Sequence, residues 1–162
     1  MNLDKAHKIE EILNTDFKHE EFLLESYDEA KKYINDFDWH KGIKDTFVGM
    51  CFDGILCVFL FDCELTIEKE LEGDNFVWVI VGDLPPAYIT SENAPNPACA
   101  LDGYVGAMLE WVKAAASGDT VDDLIPVNVP ANPENSELLK RRLDFIDKEI
   151  LSAAEYKEDL RA

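Results

Sequence analysis

The sequence predicts an α+β fold: an antiparallel sheet of three to five strands, arranged as a meander, packed by two N-terminal and two C-terminal helices. Three observations predict it. The run Phe76–Gly82 is apolar at consecutive positions and rich in β-branched and aromatic residues, which is typical of a strand buried on both faces. Asp53 and Gly54 separate two further apolar runs, as in a hairpin. Amphipathic helical patterns lie before and after this region.

Two helices are predicted before the sheet. The first covers residues 3–14, with Asn2 as its N-cap. The second begins after a cap at Thr15 or Asp16 and runs to about Asp36. Each helix has one apolar face, so both are expected to pack on the sheet. The apolar stripe of the second helix is Phe22, Leu23, Tyr27, Ala30, Tyr33, Ile34 and Phe37.

The hairpin is predicted to join strands near 46–52 and 55–66. Asp-Gly favours a two-residue type I′ turn, in which both central residues have positive φ. A turn at 72–75 then leads into the strand 76–82, and residues 87–89 are a possible further short strand.

Two helices are predicted after the sheet. Asn96 followed by Pro97 begins the first, and Gly118 ends it. Gly103 and Gly106 lie inside this helix and are expected to allow close packing. Asn132-Pro133 begins the last helix in the same way. Residues 1–162 are expected to form a single domain, with a frayed tail from about residue 155.

Net charge is the unusual property of this composition. The chain has 34 acidic and 15 basic residues, a formal charge of −19, and both halves are acidic. Nucleic acids and anionic lipids are bound through Lys and Arg, so neither is an expected partner. A negative field attracts basic proteins and speeds their encounter. Solubility is the alternative explanation of the same charge.

The expected location is the cytoplasm. Residues 1–5 lead directly into a charged amphipathic segment without a signal-peptide pattern, and the apolar run Ile55–Phe61 is too short to span a bilayer. In that compartment cysteines are expected to be free, buried thiols. The four cysteines are Cys51, Cys57, Cys63 and Cys99.

No catalytic, cofactor-binding or metal-binding residue is predicted. Asp36, Asp38 and His40 are ligand-type residues at close spacing, but they straddle a helix end, where Asp and His are common. A pair of carboxylates acting as acid and base remains an alternative, because 34 acidic residues make such pairs unavoidable.

A partner-binding surface is predicted where the second hairpin strand changes from continuous apolar residues to alternation. Cys63 and Leu65 are expected to point to one side and the acids to the other, on a wet acidic face. Trp39 is the candidate for an exposed aromatic anchor. The predicted surface is Asp62, Glu64, Glu68, Glu70, Glu72 and Asp74. The second choice is the acidic face of the second helix, with Glu21, Glu25 and Asp28.

The segments 47–61 and 76–88 resemble a family of small uncharacterised bacterial proteins that share a phrase of the type W-V-V-V-G-D-L-P-P-A-Y; this chain has Trp78-Val-Ile-Val-Gly-Asp-Leu-Pro-Pro-Ala-Tyr88. That resemblance covers most of the chain and implies no activity. In size and acidity the chain also resembles the immunity proteins of contact-dependent inhibition and other bacterial toxin systems. This second resemblance implies a non-enzymatic inhibitor of a basic toxin domain, such as a nuclease. The alternatives are a cytoplasmic housekeeping domain that dimerises through an uncovered sheet face, and a carboxylate enzyme.

Overall fold

The computed structural model describes residues 3–13, 20–65 and 75–161. In this part of the chain five strands form one antiparallel sheet in the order β1-β2-β3-β4-β5. The predicted α+β class and the meander of the last four strands are therefore confirmed. The strands are β1 His7–Lys8, β2 His40–Phe52, β3 Leu56–Leu65, β4 Phe76–Gly82 and β5 Ala87–Thr90. The helices are α1 Ile9–Leu13, α2 Glu20–Asn35, α3 Pro97–Ser117, α4 Pro133–Phe145 and α5 Ala154–Lys157, with a π-helical turn at Ile146–Leu151 after α4.

Strands β3 and β4 are buried on both faces, as their continuous apolar sequences predict. On one face Leu56, Leu60 and Trp78 pack with the apolar sides of α3 and α4. On the other face Phe59 and Val79 belong to the cluster that contains the apolar side of α2. Helices therefore cover both faces of the sheet along most of β3 and β4.

The hairpin lies at Asp53-Gly54, as predicted, but its turn is not type I′. Phe52 of β2 and Leu56 of β3 form the residue pair nearest the turn. The N–H of Ile55 donates to the Phe52 carbonyl at 2.9 Å. Gly54 has a φ of 74°, whereas no non-glycine residue in the described ranges has a positive φ. Only one of the two central residues therefore occupies the left-handed region that a type I′ turn requires twice.

The prediction of a helix over residues 3–14 is wrong. Residues Leu3–Lys5 form a 3-10 turn, His7 and Lys8 form β1, and α1 begins at Ile9. The reason is tertiary: β1 pairs with Phe47 and Val48 of β2, and the Lys8 ammonium lies 2.9 Å from the Asp45 carboxylate. Pairing with a neighbouring strand outweighs the weak intrinsic preference of a short segment. The cap predicted at Thr15 or Asp16 lies outside the described residues.

Both C-terminal helices begin where their caps predict, and α3 also ends where predicted. The Asn96 side chain accepts a hydrogen bond from the N–H of Cys99 at 2.9 Å, and Asn132 accepts one from Asn135 at 2.8 Å. Gly118 ends α3 in the left-handed conformation. The close packing expected of Gly103 and Gly106 is not found, because a Cβ at either position would meet no atom within 4 Å.

The segment after residue 155 bonds to α3. After α5, residues Asp159–Arg161 form a 3-10 turn. The Asp159 carbonyl accepts hydrogen bonds from the Asn96 amide at 3.0 Å and from the Cys99 thiol at 3.2 Å. This places the C-terminal turn beside the first turn of α3.

Three buried side chains bond to backbone carbonyls of other segments. Trp78 Nε1 donates to the Ala94 carbonyl at 2.8 Å and Tyr104 Oη to the Pro85 carbonyl at 2.6 Å. Ser136 Oγ donates to a carbonyl of α3, that of Val112, at 2.8 Å. A buried polar group left without a partner costs free energy, so these bonds specify how the β4–β5 loop, α3 and α4 dock.

Candidate functional site

The first-choice acidic surface begins as the alternation predicts. Cys63 is fully buried and lies in the cluster under α2, whereas Asp62 is half-buried and Glu64 is exposed. Asp62 and Glu64 continue the series of alternate β3 residues that begins with Leu56. They therefore project from the α3–α4 face of the sheet, beyond the residues that these helices bury.

Tertiary structure adds a third carboxylate to this surface. Asp45 of β2 lies directly opposite Asp62 in the strand register. Lys8 partly balances it: the hydrogen bond to Asp45 is the main reason that the pKa of Lys8 is raised. We call Asp45, Asp62 and Glu64 the strand-end surface. The remaining first-choice acids, Glu68, Glu70, Glu72 and Asp74, lie outside the described residues.

The second-choice surface lies on α2. Glu21, Glu25 and Asp28 are all exposed, on the side of the helix away from the sheet. Lys31 pairs with Asp28 at 3.2 Å and its ammonium also lies 4.1 Å from the centroid of the Tyr27 ring. Because α2 covers the face opposite to α3 and α4, the structure does not bring the two predicted acidic surfaces together on one face of the sheet.

The prediction that Trp39 is an exposed anchor is wrong. Only 3% of its surface is exposed. Its ring centroid lies 5.7 Å from that of Phe37 and 5.3 Å from that of Tyr88. The flanking Asp38 and His40 suggested exposure, but an aromatic cluster between the end of α2 and β5 buries the indole.

This cluster lines a pocket that the sequence did not predict. Tyr33 comes from α2, Phe37 from the turn after it and Tyr88 from β5, and the pocket has a volume of about 520 Å³. Tyr33 and Phe37 were assigned to the apolar stripe of α2, where i and i+4 residues share a face. Nothing in the sequence indicated that the end of this stripe would contact Tyr88 of the last strand and form a concave aromatic surface with it.

A second apolar region lies beside α4. Two adjoining grooves of about 290 and 320 Å³ share Leu84, Leu138 and Arg142 in their linings. Leu138 and Phe145 are nearly half exposed there. Arg142 is paired with Asp83 at 3.4 Å across these grooves.

His40 is buried at the start of β2. Neither ring nitrogen has a hydrogen-bond partner, and burial lowers the pKa of the imidazole. Within the three described ranges, no group of three or more His, Cys, Asp and Glu side chains is arranged to hold a metal ion.

The expectation of four free thiols is wrong for two of them. Cys51 and Cys57 are directly opposite in the β2–β3 register, with Cα atoms 4.2 Å apart, and form a disulfide. Cys63 and Cys99 are free. Burial raises the pKa of Cys63 to about 12 and also raises that of Cys99, so neither has the electropositive surroundings of a reactive thiolate.

No protein-family model, curated protein or solved structure matches this chain. Among the helices of the described ranges, none combines the length and the apolar character needed to cross a membrane.

Proposed function

We propose that this protein is a non-enzymatic inhibitor that binds a basic protein, most simply an immunity protein that occludes a toxin domain such as a nuclease. The observation that carries the proposal is the strand-end surface. It joins carboxylates from two neighbouring strands, with Glu64 exposed at its edge, in a chain with a formal charge of −19.

Carboxylates on paired strands suit this role physically. β3 is hydrogen-bonded to β2 on one side and to β4 on the other, so Asp62 extends from a backbone with little freedom. Oxygen acceptors held at fixed spacing imitate the charge of phosphates and bind Lys or Arg of a nuclease site with little loss of conformational entropy. The negative field of the whole chain speeds the encounter.

The proposal places the protein in the cytoplasm. Disulfides are rare in that compartment, so the Cys51–Cys57 disulfide counts against this placement. The proposed interaction does not use this pair, which lies beside the hairpin turn at the opposite end of β3 from Glu64.

The experiment identifies the genes adjacent to the one for this chain and measures association with a basic protein that they encode. We expect the association rate constant to fall by about tenfold as salt rises from about 50 to about 300 mM. Co-expression of this protein should restore the growth of cells that produce that partner. A rate constant that does not change with salt would contradict the mechanism, as would the lack of any such partner.

A matched pair of double variants separates local contact from overall charge. Asp62→Asn with Glu64→Gln should slow association several-fold at low salt. Glu110→Gln with Asp119→Asn removes the same charge from exposed positions in and after α3 and should have a much smaller effect. Equal effects of the two double variants would remove the strand-end surface from the proposal.

A further inference from the structure

The aromatic pocket is built by elements that are distant in sequence. Tyr33 lies near the C-terminal end of α2 and Phe37 in the turn after it. Tyr88 and Thr90 lie in β5 and Gly103 in α3. Ile125 and Pro126, from the connection between α3 and α4, complete it. Its volume of about 520 Å³ exceeds that of either groove beside α4. That volume accommodates a side chain or a small organic molecule.

The aromatic rings in this pocket are arranged nearly at right angles. The Phe37 ring lies 5.2 Å from that of Tyr33 with an interplanar angle of 74°, and 5.0 Å from that of Tyr88 with an angle of 81°. Trp39 supports Tyr88 from behind, at 5.3 Å. Edge-to-face contacts of this kind fix the orientation of the rings, and an aromatic wall attracts a cation that approaches the face of one of its rings.

The charge around the pocket has the sign that such a ligand requires. None of its lining residues is charged. Exposed residues next to them in sequence are mostly acidic, with Lys32 as the basic exception. The acidic ones are Asp36, Asp38, Glu92 and Asp102. Elsewhere on α2 the chain already places a cation over an aromatic ring, where Lys31 contacts Tyr27 at 4.1 Å from the centroid.

A polar pair lies at the side of this aromatic surface. Asn93 Nδ2 donates to Thr90 Oγ1 at 3.1 Å, and both residues line the pocket. This bond orients the Asn93 amide and uses one of its donors. The amide oxygen is an acceptor, suited to the N–H groups of a guanidinium or an alkylammonium.

From these observations we propose that the pocket binds an organic cation, a guanidinium or alkylammonium group. Two sources carry this chemistry: an Arg or Lys side chain of a protein partner, and a free small cation. The site is separate from the strand-end surface and does not depend on the function proposed above.

The first experiment compares charged and neutral probes of the same shape. Tetramethylammonium and N-acetylarginine amide are titrated into the ¹⁵N-labelled full chain at constant ionic strength. We expect saturable shifts of the amide signals of Thr90, Asn93 and Gly103. Tert-butyl alcohol, a neutral analogue of tetramethylammonium, should give at least about tenfold weaker binding. Equal binding of the neutral analogue would overturn the proposal.

Two glycines of one helix provide a blocking variant and its control. Gly103 lines the pocket and Gly106 does not, yet both are exposed, and a Cβ at either would meet nothing within 4 Å. Gly103→Leu should fill the pocket and weaken cation binding by about tenfold or more. Gly106→Leu should bind like the wild type. Both variants should be at least as stable as the wild type, since leucine replaces glycine in a helix.

Comparison of the probes in this titration distinguishes a side chain of a protein partner from a free small cation. Tighter binding of an arginine-containing peptide than of either free probe assigns the pocket to a protein side chain, whereas a preference for tetramethylammonium assigns it to a free cation. Unchanged cation binding by Gly103→Leu overturns the proposal. Association with the basic partner is measured separately at the strand-end surface, so failure of one proposal is recognised without reference to the other.

Discussion

His40 is buried, although the charged residues near it in the sequence suggested an exposed position. Its ring centroid lies 5.9 Å from that of Trp39, and its position at the start of β2 is buried. Its nitrogens have no hydrogen-bond partner and burial lowers its pKa. The folded state therefore favours the neutral imidazole, because transferring a charged ring into such surroundings costs free energy.

This environment predicts a pH dependence of stability. Above the unfolded pKa of about 6.5 both states hold neutral His40. As pH falls below that value the unfolded state takes up the proton first, so the free energy of unfolding decreases, by up to about 1.4 kcal/mol per pH unit for one group. We expect His40→Leu to lack this loss. Urea unfolding of both proteins at pH 7.5 and 5.5 measures the difference.

An NMR titration of the His40 ring checks the cause directly. We expect its midpoint below that of an unstructured histidine. A midpoint at or above about 6.5 would contradict the assignment of the neutral ring to the folded state.

At the scale of elements, α3 and α4 begin with the same Asn-Pro pair but in different surroundings. Asn132 caps α4 through one bond to the Asn135 N–H. Asn96 caps α3 in the same way and also donates to the Asp159 carbonyl. One side chain therefore both starts α3 and attaches the C-terminal turn to it.

This difference predicts unequal effects of the same substitution. Asn132→Ala should reduce the free energy of unfolding by about 1 kcal/mol, as expected for loss of a cap. Asn96→Ala should cost about 1 kcal/mol more, because it also leaves a part-buried carbonyl without this donor. Denaturant midpoints measure both. Equal losses would indicate that the C-terminal turn is attached by other contacts.

At the scale of the whole molecule, the acidic side chains repel one another throughout the fold. The formal charge is −19, and the described ion pairs are mostly between exposed side chains, such as Arg141 with Glu137. Exposed pairs contribute little, so they do not offset a general repulsion.

We therefore expect added salt to stabilise the protein. Raising sodium chloride from about 10 to about 150 mM shortens the screening length from roughly 30 to roughly 8 Å. The melting temperature should rise by about 3 °C, equivalent to about 1 kcal/mol for a chain of this size. Potassium chloride should act equally. A melting temperature that is constant or falls with salt would show that repulsion is not a significant cost.

Local features were predictable because their physical causes are local. The strand Phe76–Gly82, the turn at Asp53-Gly54 and the helix starts at Asn96 and Asn132 each follow from residues a few positions apart. The alternation of Cys63 with its acidic neighbours follows from the two-residue period of a strand. The fold class, the strands buried on both faces and the negative charge could therefore be predicted from the order of the residues alone.

Contacts between distant segments were decided only by the tertiary structure. Register placed Asp45 beside Asp62 and Cys51 beside Cys57. Strand pairing drew His7 and Lys8 into the sheet. Contacts of Phe37 and Trp39, in the turn after α2, with Tyr88 of β5 bury Trp39 and form the aromatic pocket. These outcomes depend on which surfaces pack together in the folded chain. The hydrophobic period and the caps of separate segments do not specify that packing.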